Sequence, residues 1–198
     1  MKLKIYKIFF TILIIALIFV IGLILIKYTK NYANEQESKK VVETFSDIIS
    51  KKDEENQENI TMNGYKVIGV VKIPKIQIEY PILDIETYNP EETKEPMKIS
   101  IVKYWGGNVN QYGNLSIAGH NNYDGTMFGK TKKLEEGDIV ELTDLENVTI
   151  QYQIYDKFVT DPNDITILAT NDESIREVTL ITCTNGNKSR LILKAREI

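Results

Sequence analysis

The chain has 198 residues, 42% of them hydrophobic, which is enough for one compact core and excludes a mainly disordered protein. Its net charge is −4, and residues 60–198 carry 15 basic against 20 acidic side chains. A domain that follows nucleic-acid phosphates normally carries positive charge, so no nucleic-acid partner is predicted. One Cys and one His exclude an intrachain disulfide and argue against clustered metal ligands, so neither a metal nor a cofactor is predicted.

The N-terminal segment is a predicted membrane anchor. Residues 8–26 carry no charge, and only one Thr and one Gly interrupt the apolar run. As a helix this run would measure about 28 Å, close to the hydrocarbon thickness of a bilayer. Three lysines precede it and no small-x-small cleavage site follows, so residues 1–28 are predicted to be an uncleaved signal anchor.

The charges on the two flanks predict which way the anchor points. Lys2, Lys4 and Lys7, together with the amino terminus, precede the apolar run, and Lys27 and Lys30 follow it. The positive-inside rule then favours a cytoplasmic N-terminus and an extracellular C-terminal domain. A domain that faces the cytoplasm is the alternative, because the excess of charge is small.

Residues 29–63 are polar and rich in charge. They contain a weak helical pattern of apolar residues between Val41 and Ile49, and residues 51–59 are too polar to bury in a core. We therefore expect a polar, partly helical linker, in which residues 51–59 form a solvated spacer.

After Gly64 the pattern changes to short runs of β-branched and aromatic residues separated by Pro, Gly and Asn. Several strands at short spacing with only brief helical stretches are typical of an all-β antiparallel barrel or sandwich. Residues 64–198 are therefore predicted to form one β-domain. The predicted strands are Tyr65–Ile73, Ile76–Ile82, Leu115–Ala118, Asp138–Leu142, Val148–Val159, Val178–Cys183 and Arg190–Ala195.

Three side chains with catalytic potential lie at the ends of predicted strands. His120 and Cys183 each follow an apolar strand, and Arg190 begins the next one. An imidazole can activate a neighbouring thiol as a nucleophile, and a guanidinium can stabilise a developing oxyanion. The structural alternative is a buried Cys, a turn His and a solvated edge Arg, and spacing alone does not decide between the two.

The sequences around these residues match known motifs. A Thr-Leu-Ile-Thr-Cys sequence ends at Cys183 and is followed by Arg190, and an Ala-Gly-His-Asn sequence contains His120. The first resembles the Thr-Leu-x-Thr-Cys…Arg signature of the sortases, membrane-anchored cysteine transpeptidases of Gram-positive bacteria, and the second resembles their Gly-His motif. The resemblance covers residues 65–198 in the family's order, and the N-terminal anchor also fits.

The resemblance implies a closed eight-stranded sortase-type β-barrel with short helices, preceded by one transmembrane helix. It implies that Cys183 attacks the bond between Thr and Gly of an LPxTG-like sorting signal and forms a thioester. His120 would protonate the leaving amine and then deprotonate the incoming amine, and Arg190 would hold the substrate and stabilise the oxyanion. Because the thioester keeps the energy of the old amide, no nucleotide is required.

The implied partners are surface proteins that bear a C-terminal sorting signal and an acceptor amine. The amine would belong to a peptidoglycan precursor cross-bridge or to a pilin-type lysine. Two alternatives stay open: a cysteine endopeptidase that uses water as acceptor, and a non-catalytic, membrane-tethered β-domain in which Cys183 is buried and inert.

The resemblance also suggests substrate-binding residues. Residues 161–174 precede the Cys183 strand, where the family places its substrate-recognition loop, although their apolar side chains would serve equally well as a cap on the barrel core. The residues assigned to substrate binding are Thr182, Ile165, Ile167, Leu168 and Ala169.

The sortase class is left open by the sequence. The segment Asp124–Gly129 is similar to class B enzymes, but Cys183 comes only 63 residues after His120, which is closer to class A or class D. The acidic turn Glu135–Asp138 resembles the calcium-binding position of some class A members. Adjacent acids at a turn are more often simply solvated, so no metal is predicted there.

Overall fold

The computed structural model describes residues 2–51, 60–85, 92–170 and 172–198. It divides into two compact units, Met1–Gln36 and Glu37–Ile198. The first unit contains only the beginning of helix α1 (Lys2–Ser50), and the second contains the end of that helix and all of the strands.

The first unit is an apolar helix. Residues 8–26 lie within it, and almost all of their side chains are exposed. No proline interrupts the segment, so the backbone hydrogen bonds of the helix continue without a break. By length and composition this helix could span a membrane.

The part of α1 that belongs to the second unit packs on the β-domain. Phe45 and Ile49 are buried, in one apolar cluster with Ile60 and Met62. The weak apolar pattern between Val41 and Ile49 therefore forms one buried face of a helix, within the segment predicted to be a polar, partly helical linker. Of the spacer predicted at residues 51–59, only Lys51 falls among the described residues.

In the part of the chain that the structure describes, nine strands and three short helical turns follow α1. The turns and the four-residue helix α2 (Lys94–Met97) connect strands. The strands are β1 (Thr61–Met62), β2 (Tyr65–Ile73), β3 (Ile78–Leu83), β4 (Ile101–Trp105), β5 (Gly113–Ala118), β6 (Ile139–Thr143), β7 (Thr149–Thr160), β8 (Arg176–Thr184) and β9 (Ser189–Glu197), and the turns are Pro74–Ile76, Thr131–Lys133 and Thr166–Leu168.

The strands close into a barrel. Their order is β2-β3-β4-β5-β8-β9-β7-β6, and β6 returns to pair with β2, where Val71 faces Leu142. The two-residue strand β1 only extends β2. The predicted closed eight-stranded barrel is therefore confirmed. The pairs β3–β4 and β5–β8 are parallel, whereas periodicity alone suggested an antiparallel sheet.

All seven predicted strands form, the first with its predicted ends and the other six with shifted ends. The second begins at Ile78, because Pro74–Ile76 make a helical turn and Gln77 has a left-handed φ of 56°. Strand β4 was missed, although Ile101, Val102 and the two aromatic residues that follow favour a strand.

Apolar side chains pack on both faces of the barrel wall. All eight barrel strands contribute to the interior, whereas a second layer lies outside it and includes the buried residues of α1. Neighbouring residues alternate between the two layers: Leu180 and Leu193 point inward, and Ile181 and Ile192 point outward.

Asn110, between β4 and β5, is a polar hub that joins two hairpins. Its side-chain amide nitrogen donates to the carbonyls of Leu142 (3.3 Å) and Val148 (2.8 Å) and to Asp144 Oδ2 (3.0 Å). Its Oδ1 accepts a hydrogen bond from the buried Tyr152 hydroxyl at 3.0 Å. The backbone of Asn110 is left-handed, with φ 61°, a conformation that Asn tolerates better than most residues.

The Asn110→Gly substitution is expected to lower the free energy of unfolding by about 2–4 kcal/mol, because it leaves buried polar groups unpaired. Glycine accepts the left-handed backbone, so the substitution adds no strain, and its extra flexibility in the unfolded chain is shared by the control below. Urea unfolding of the full chain in detergent, followed by fluorescence of the single Trp, measures it. The same change at the exposed Asn108 is the matched control. Equal losses of unfolding free energy at both positions would contradict the stabilising role of the Asn110 side chain.

Candidate functional site

Three neighbouring strands bring the predicted residues to one end of the barrel. Strand β5 runs parallel to β8 with Ala118 opposite Ile181, so the backbones of His120 and Cys183, each two residues further on, lie at the same rim. Cys183 is the register partner of Arg190 on β9. Directly opposed residues of an antiparallel pair project from the same face, here the outer face that also carries Ile181.

Hydrogen bonds fix the backbone that carries His120. The Gly119 amide donates to the Ile181 carbonyl at 3.1 Å, and the Thr182 hydroxyl donates to the Gly119 carbonyl at 2.7 Å. On the other side, Asn121 Nδ2 donates to the Cys183 carbonyl at 2.8 Å. The strand end is therefore tied to β8 both before and after His120.

Close packing beneath His120 requires glycine at position 119. A Cβ at Gly119 would lie 2.9 Å from a ring carbon of Phe128, which is fully buried, and 3.2 Å from Ile101. The ring therefore has no room to retreat inside the packed core. The Phe128 backbone amide also donates a hydrogen bond to the His120 carbonyl at 3.0 Å. Phe128 therefore helps to fix the backbone of His120.

A cleft of about 310 Å³ runs along the outer face beside Cys183 and Arg190. Ala118 and Ile181 belong to its apolar lining, together with two side chains from the turn Thr166–Leu168. The other side includes Lys94 and Met97 of α2, Tyr104 of β4 and the adjacent Thr93. Cys183, His120 and Arg190 are each half-buried, so the only thiol of the chain borders the cleft and remains accessible.

Burial lowers the pKa of His120 below its ordinary value of 6.5, and the positive charge of Lys98 lowers this pKa further. Both effects disfavour the imidazolium. Lys98 itself is exposed and forms an ion pair with Glu95. The imidazole is therefore mostly neutral at pH 7, the form that accepts a proton.

The single histidine makes this pKa directly measurable. An NMR titration of the full chain in detergent should give a pKa below 6.5, and Lys98→Met should raise it toward that value, whereas Lys133→Met should not. Because folding lowers the pKa, the stability contributed by neutral His120 is complete above pH 6.5 and is lost as the pH falls toward the folded-state pKa. His120→Gln should remove this pH dependence; a titration midpoint above 6.5 would contradict the argument.

The five residues predicted to bind substrate differ in their exposure and in whether they line the cleft. Ile165, Ile167 and Leu168 line the cleft, with Ile165 mostly exposed and Ile167 buried. Ala169 is exposed and is not part of the lining. Thr182 borders the cleft, but its hydroxyl is engaged with the Gly119 carbonyl, so it positions the backbone next to His120.

Sequence reasoning missed the α2 side of the cleft. The preceding residues carry turn formers and acidic side chains, and a four-residue helix shows no periodicity. The bond from Asn121 to the Cys183 carbonyl could not be anticipated without the strand pairing.

The acidic turn Glu135–Asp138 is held by protein contacts. Asp138 Oδ2 accepts hydrogen bonds from the Glu135 amide at 2.7 Å and from Lys75 Nζ at 2.8 Å. Among the described residues, no cluster of three or more His, Cys, Asp or Glu side chains could hold a metal ion.

Comparison with known proteins identifies similar chains. The sequence profile of the Sortase domain matches residues 71–198. Sortase A of Bacillus anthracis is 28% identical over 141 residues, a match that spans 68% of this chain and 61% of that protein. The alignment thus reaches less than two thirds of the length of this curated relative.

Solved structures give the same fold. A sortase D5 transpeptidase from Clostridium perfringens superposes with a TM-score of 0.66 at 29% identity, covering 82% of this chain and 99% of that one. Sortase A from Corynebacterium diphtheriae shares the fold, with a TM-score of 0.59 at 20% identity over 87% of this chain and 92% of that one. Sortase C-1 from Actinomyces oris does so with a TM-score of 0.57 at 23% identity, over 67% of this chain and 74% of that one. These neighbours include classes A, C and D, so the class stays open.

Proposed function

Because the chain belongs to the sortase family, we propose that it is a membrane-anchored cysteine transpeptidase with Cys183 as its nucleophile. It cleaves an LPxTG-like sorting signal between Thr and Gly and joins the released carbonyl to an amine. One observation carries this proposal: the strand pairing gathers the only Cys, the only His and Arg190 at one barrel rim, beside an apolar cleft.

In the first step, the Cys183 thiolate attacks the carbonyl carbon of the Thr–Gly bond and forms a C–S bond. Arg190, the register partner of Cys183, donates hydrogen bonds to the tetrahedral oxyanion. The C–N bond then breaks, and His120 transfers to the glycine nitrogen the proton that came from the thiol. A thioester and a free amine result.

In the second step, the acceptor amine attacks the thioester carbonyl. His120 removes a proton from the attacking nitrogen, the C–S bond breaks, and the Cys183 thiolate is restored. The half-buried imidazole suits this step, because its lowered pKa keeps it neutral at pH 7. The acceptor is a peptidoglycan cross-bridge amine or a pilin-type lysine, and the donor is a surface protein with a C-terminal sorting signal.

The membrane orientation follows from the charges around the apolar part of α1. Three lysines and the amino terminus precede residues 8–26 and two lysines follow, a balance that favours a cytoplasmic N-terminus and an external catalytic domain. Since Cys183 is the only thiol, a membrane-impermeant maleimide should label it on intact cells and should fail with Cys183→Ala. Labelling only after lysis would indicate the opposite orientation, with the catalytic domain in the cytoplasm.

Peptide cleavage tests the activity. The full chain in lipid nanodiscs is incubated with fluorogenic peptides that vary the first two positions of the signal, with and without triglycine or a diamino acid, and products are identified by mass spectrometry. A product linked to the added amine, lost in Cys183→Ala, is expected. Cleavage that ignores the amine would indicate an endopeptidase. No cleavage and an unreactive Cys183 would indicate a non-catalytic domain.

A further inference from the structure

Asn114 is a buried polar residue of β5 that forms hydrogen bonds to Ile167 and Leu168, which form one wall of the cleft. It is 3% exposed. Its Nδ2 lies 3.4 Å from the carbonyl oxygens of both Ile167 and Leu168, and its backbone amide donates to Thr170 Oγ1 at 3.3 Å. Its Oδ1 accepts a hydrogen bond from the Thr179 hydroxyl of β8 at 2.9 Å. Through its side chain and its backbone amide together, Asn114 therefore links the barrel to the segment 167–170.

The two residues whose carbonyls bond to Asn114 are also residues that line the cleft. Ile167 and Leu168 present their side chains to the same groove as Cys183. Their helical turn is only three residues long, and so short a turn is not stable by itself. At its start, Asp164 accepts hydrogen bonds from the amide and hydroxyl of Thr166, and Asn114 provides the attachment at its end.

We propose that Asn114 is a positioning residue that sets the place of Ile167 and Leu168 and thereby the selectivity of the cleft for the apolar first residue of the sorting signal. This inference rests on the proposed function, because it takes the cleft as the peptide-binding site. Strand β5 then has two roles. His120 follows its C-terminal end, and Asn114 within the strand holds Ile167 and Leu168 in place.

Loss of the Asn114 side-chain amide is expected to destabilise the cleft wall formed by Ile167 and Leu168. In Asn114→Ala, the Ile167 carbonyl and the Thr179 hydroxyl lose a buried hydrogen bond, and the Leu168 carbonyl loses a part-buried one. Buried polar groups without partners are unfavourable, so the turn shifts toward solvent to hydrate its carbonyls. The barrel strands on either side keep their own ladders.

Two variants and one control separate positioning from general damage. Asn114→Ala removes the anchor, and Thr170→Val removes the hydrogen-bond acceptor on the exposed, loop side without touching the core. Ser116→Ala is the control: this residue is equally buried on the same strand, and its hydroxyl accepts from Asn114 Nδ2 at 3.5 Å but does not bond to the loop. All are compared as full chains in lipid nanodiscs.

The first measurement is hydrogen exchange of the peptide segment 161–170 by mass spectrometry. Exchange is expected to accelerate about tenfold in Asn114→Ala and less in Thr170→Val, with strands β8 and β9 unchanged, because only the opening of the wall becomes easier. In Ser116→Ala the segment should exchange as in the wild type.

The second measurement compares sorting peptides that begin with Leu or Ala. The preference in kcat/KM for Leu should fall by about threefold to tenfold in Asn114→Ala, through a higher KM with kcat within about twofold, because the chemistry at Cys183 is untouched. Unchanged exchange in the segment, or faster exchange with an unchanged Leu preference, would overturn the proposal. A wild-type chain that cleaves neither peptide would instead refute the proposed function before any variant is compared.

Discussion

Replacing His120 with glutamine is expected to lower kcat/KM for an amide sorting peptide by about 10³-fold, the usual contribution of a positioned general acid–base. Glutamine keeps a polar side chain at the strand end but can neither give a proton to the leaving amine nor take one from the incoming amine. The hydrogen bonds from the Gly119 amide and from the Asn121 side chain to β8 do not involve the imidazole, so the rim should keep its geometry.

The nature of the leaving group tests this role of His120. A peptide in which an ester replaces the Thr–Gly amide releases an alcohol, which needs less protonation than an amine. The loss in His120→Gln should therefore be at least about tenfold smaller for the ester than for the amide, reflecting the Brønsted dependence of acid catalysis. Equal losses for both substrates would mean that His120 acts only on the Cys183 thiol or only on structure.

Replacing Arg190 with lysine is expected to lower kcat by about 10²–10³-fold with little change in KM, because a donor aimed at the oxyanion acts mainly in the transition state. Lysine keeps the charge but loses the planar, forked donor geometry. In the structure, Arg190 lies opposite Cys183, and its Nη1 makes long hydrogen bonds of 3.4 Å to the carbonyls of Asn187 and Ser189.

Arg196→Lys is the matched control for this substitution. Arg196 lies on the same strand, opposite Glu177, near the end of the barrel away from Cys183, and its guanidinium lies over the Tyr155 ring. Activity within about twofold of the wild type is expected. If Arg190→Lys were equally mild, the positive charge alone would suffice and the forked geometry would have no role.

The parts of the fold that the sequence predicted well have strong local signals. Strand β2 has the predicted bounds, because Tyr65–Ile73 is a dense run of β-branched residues ended by proline. Strand β4 is short and carries a lysine, and α2 is a single turn, so both lack a periodic signal. The buried face of α1 was underestimated, because its apolar residues are diluted among charged ones.

The candidate site depends on pairing that no local pattern contains. Periodicity could place His120 and Cys183 at strand ends, but only the parallel β5–β8 register puts both ends at one rim. The family resemblance supplied that information. The contacts of Asn121 and Asn114 join segments far apart in the sequence, and such contacts follow from the three-dimensional arrangement of the strands alone.

Barrel closure also has a consequence for the order of folding. Strand β2 finds its closing partner β6 only after β3, β4 and β5 have been synthesised, so the edge of β2 is open for as long as the barrel is incomplete. An open edge invites pairing with another chain. Because the seam lies across the barrel from β5, β8 and β9, changes at the seam should slow maturation and raise aggregation while leaving the activity of each mature molecule unaltered.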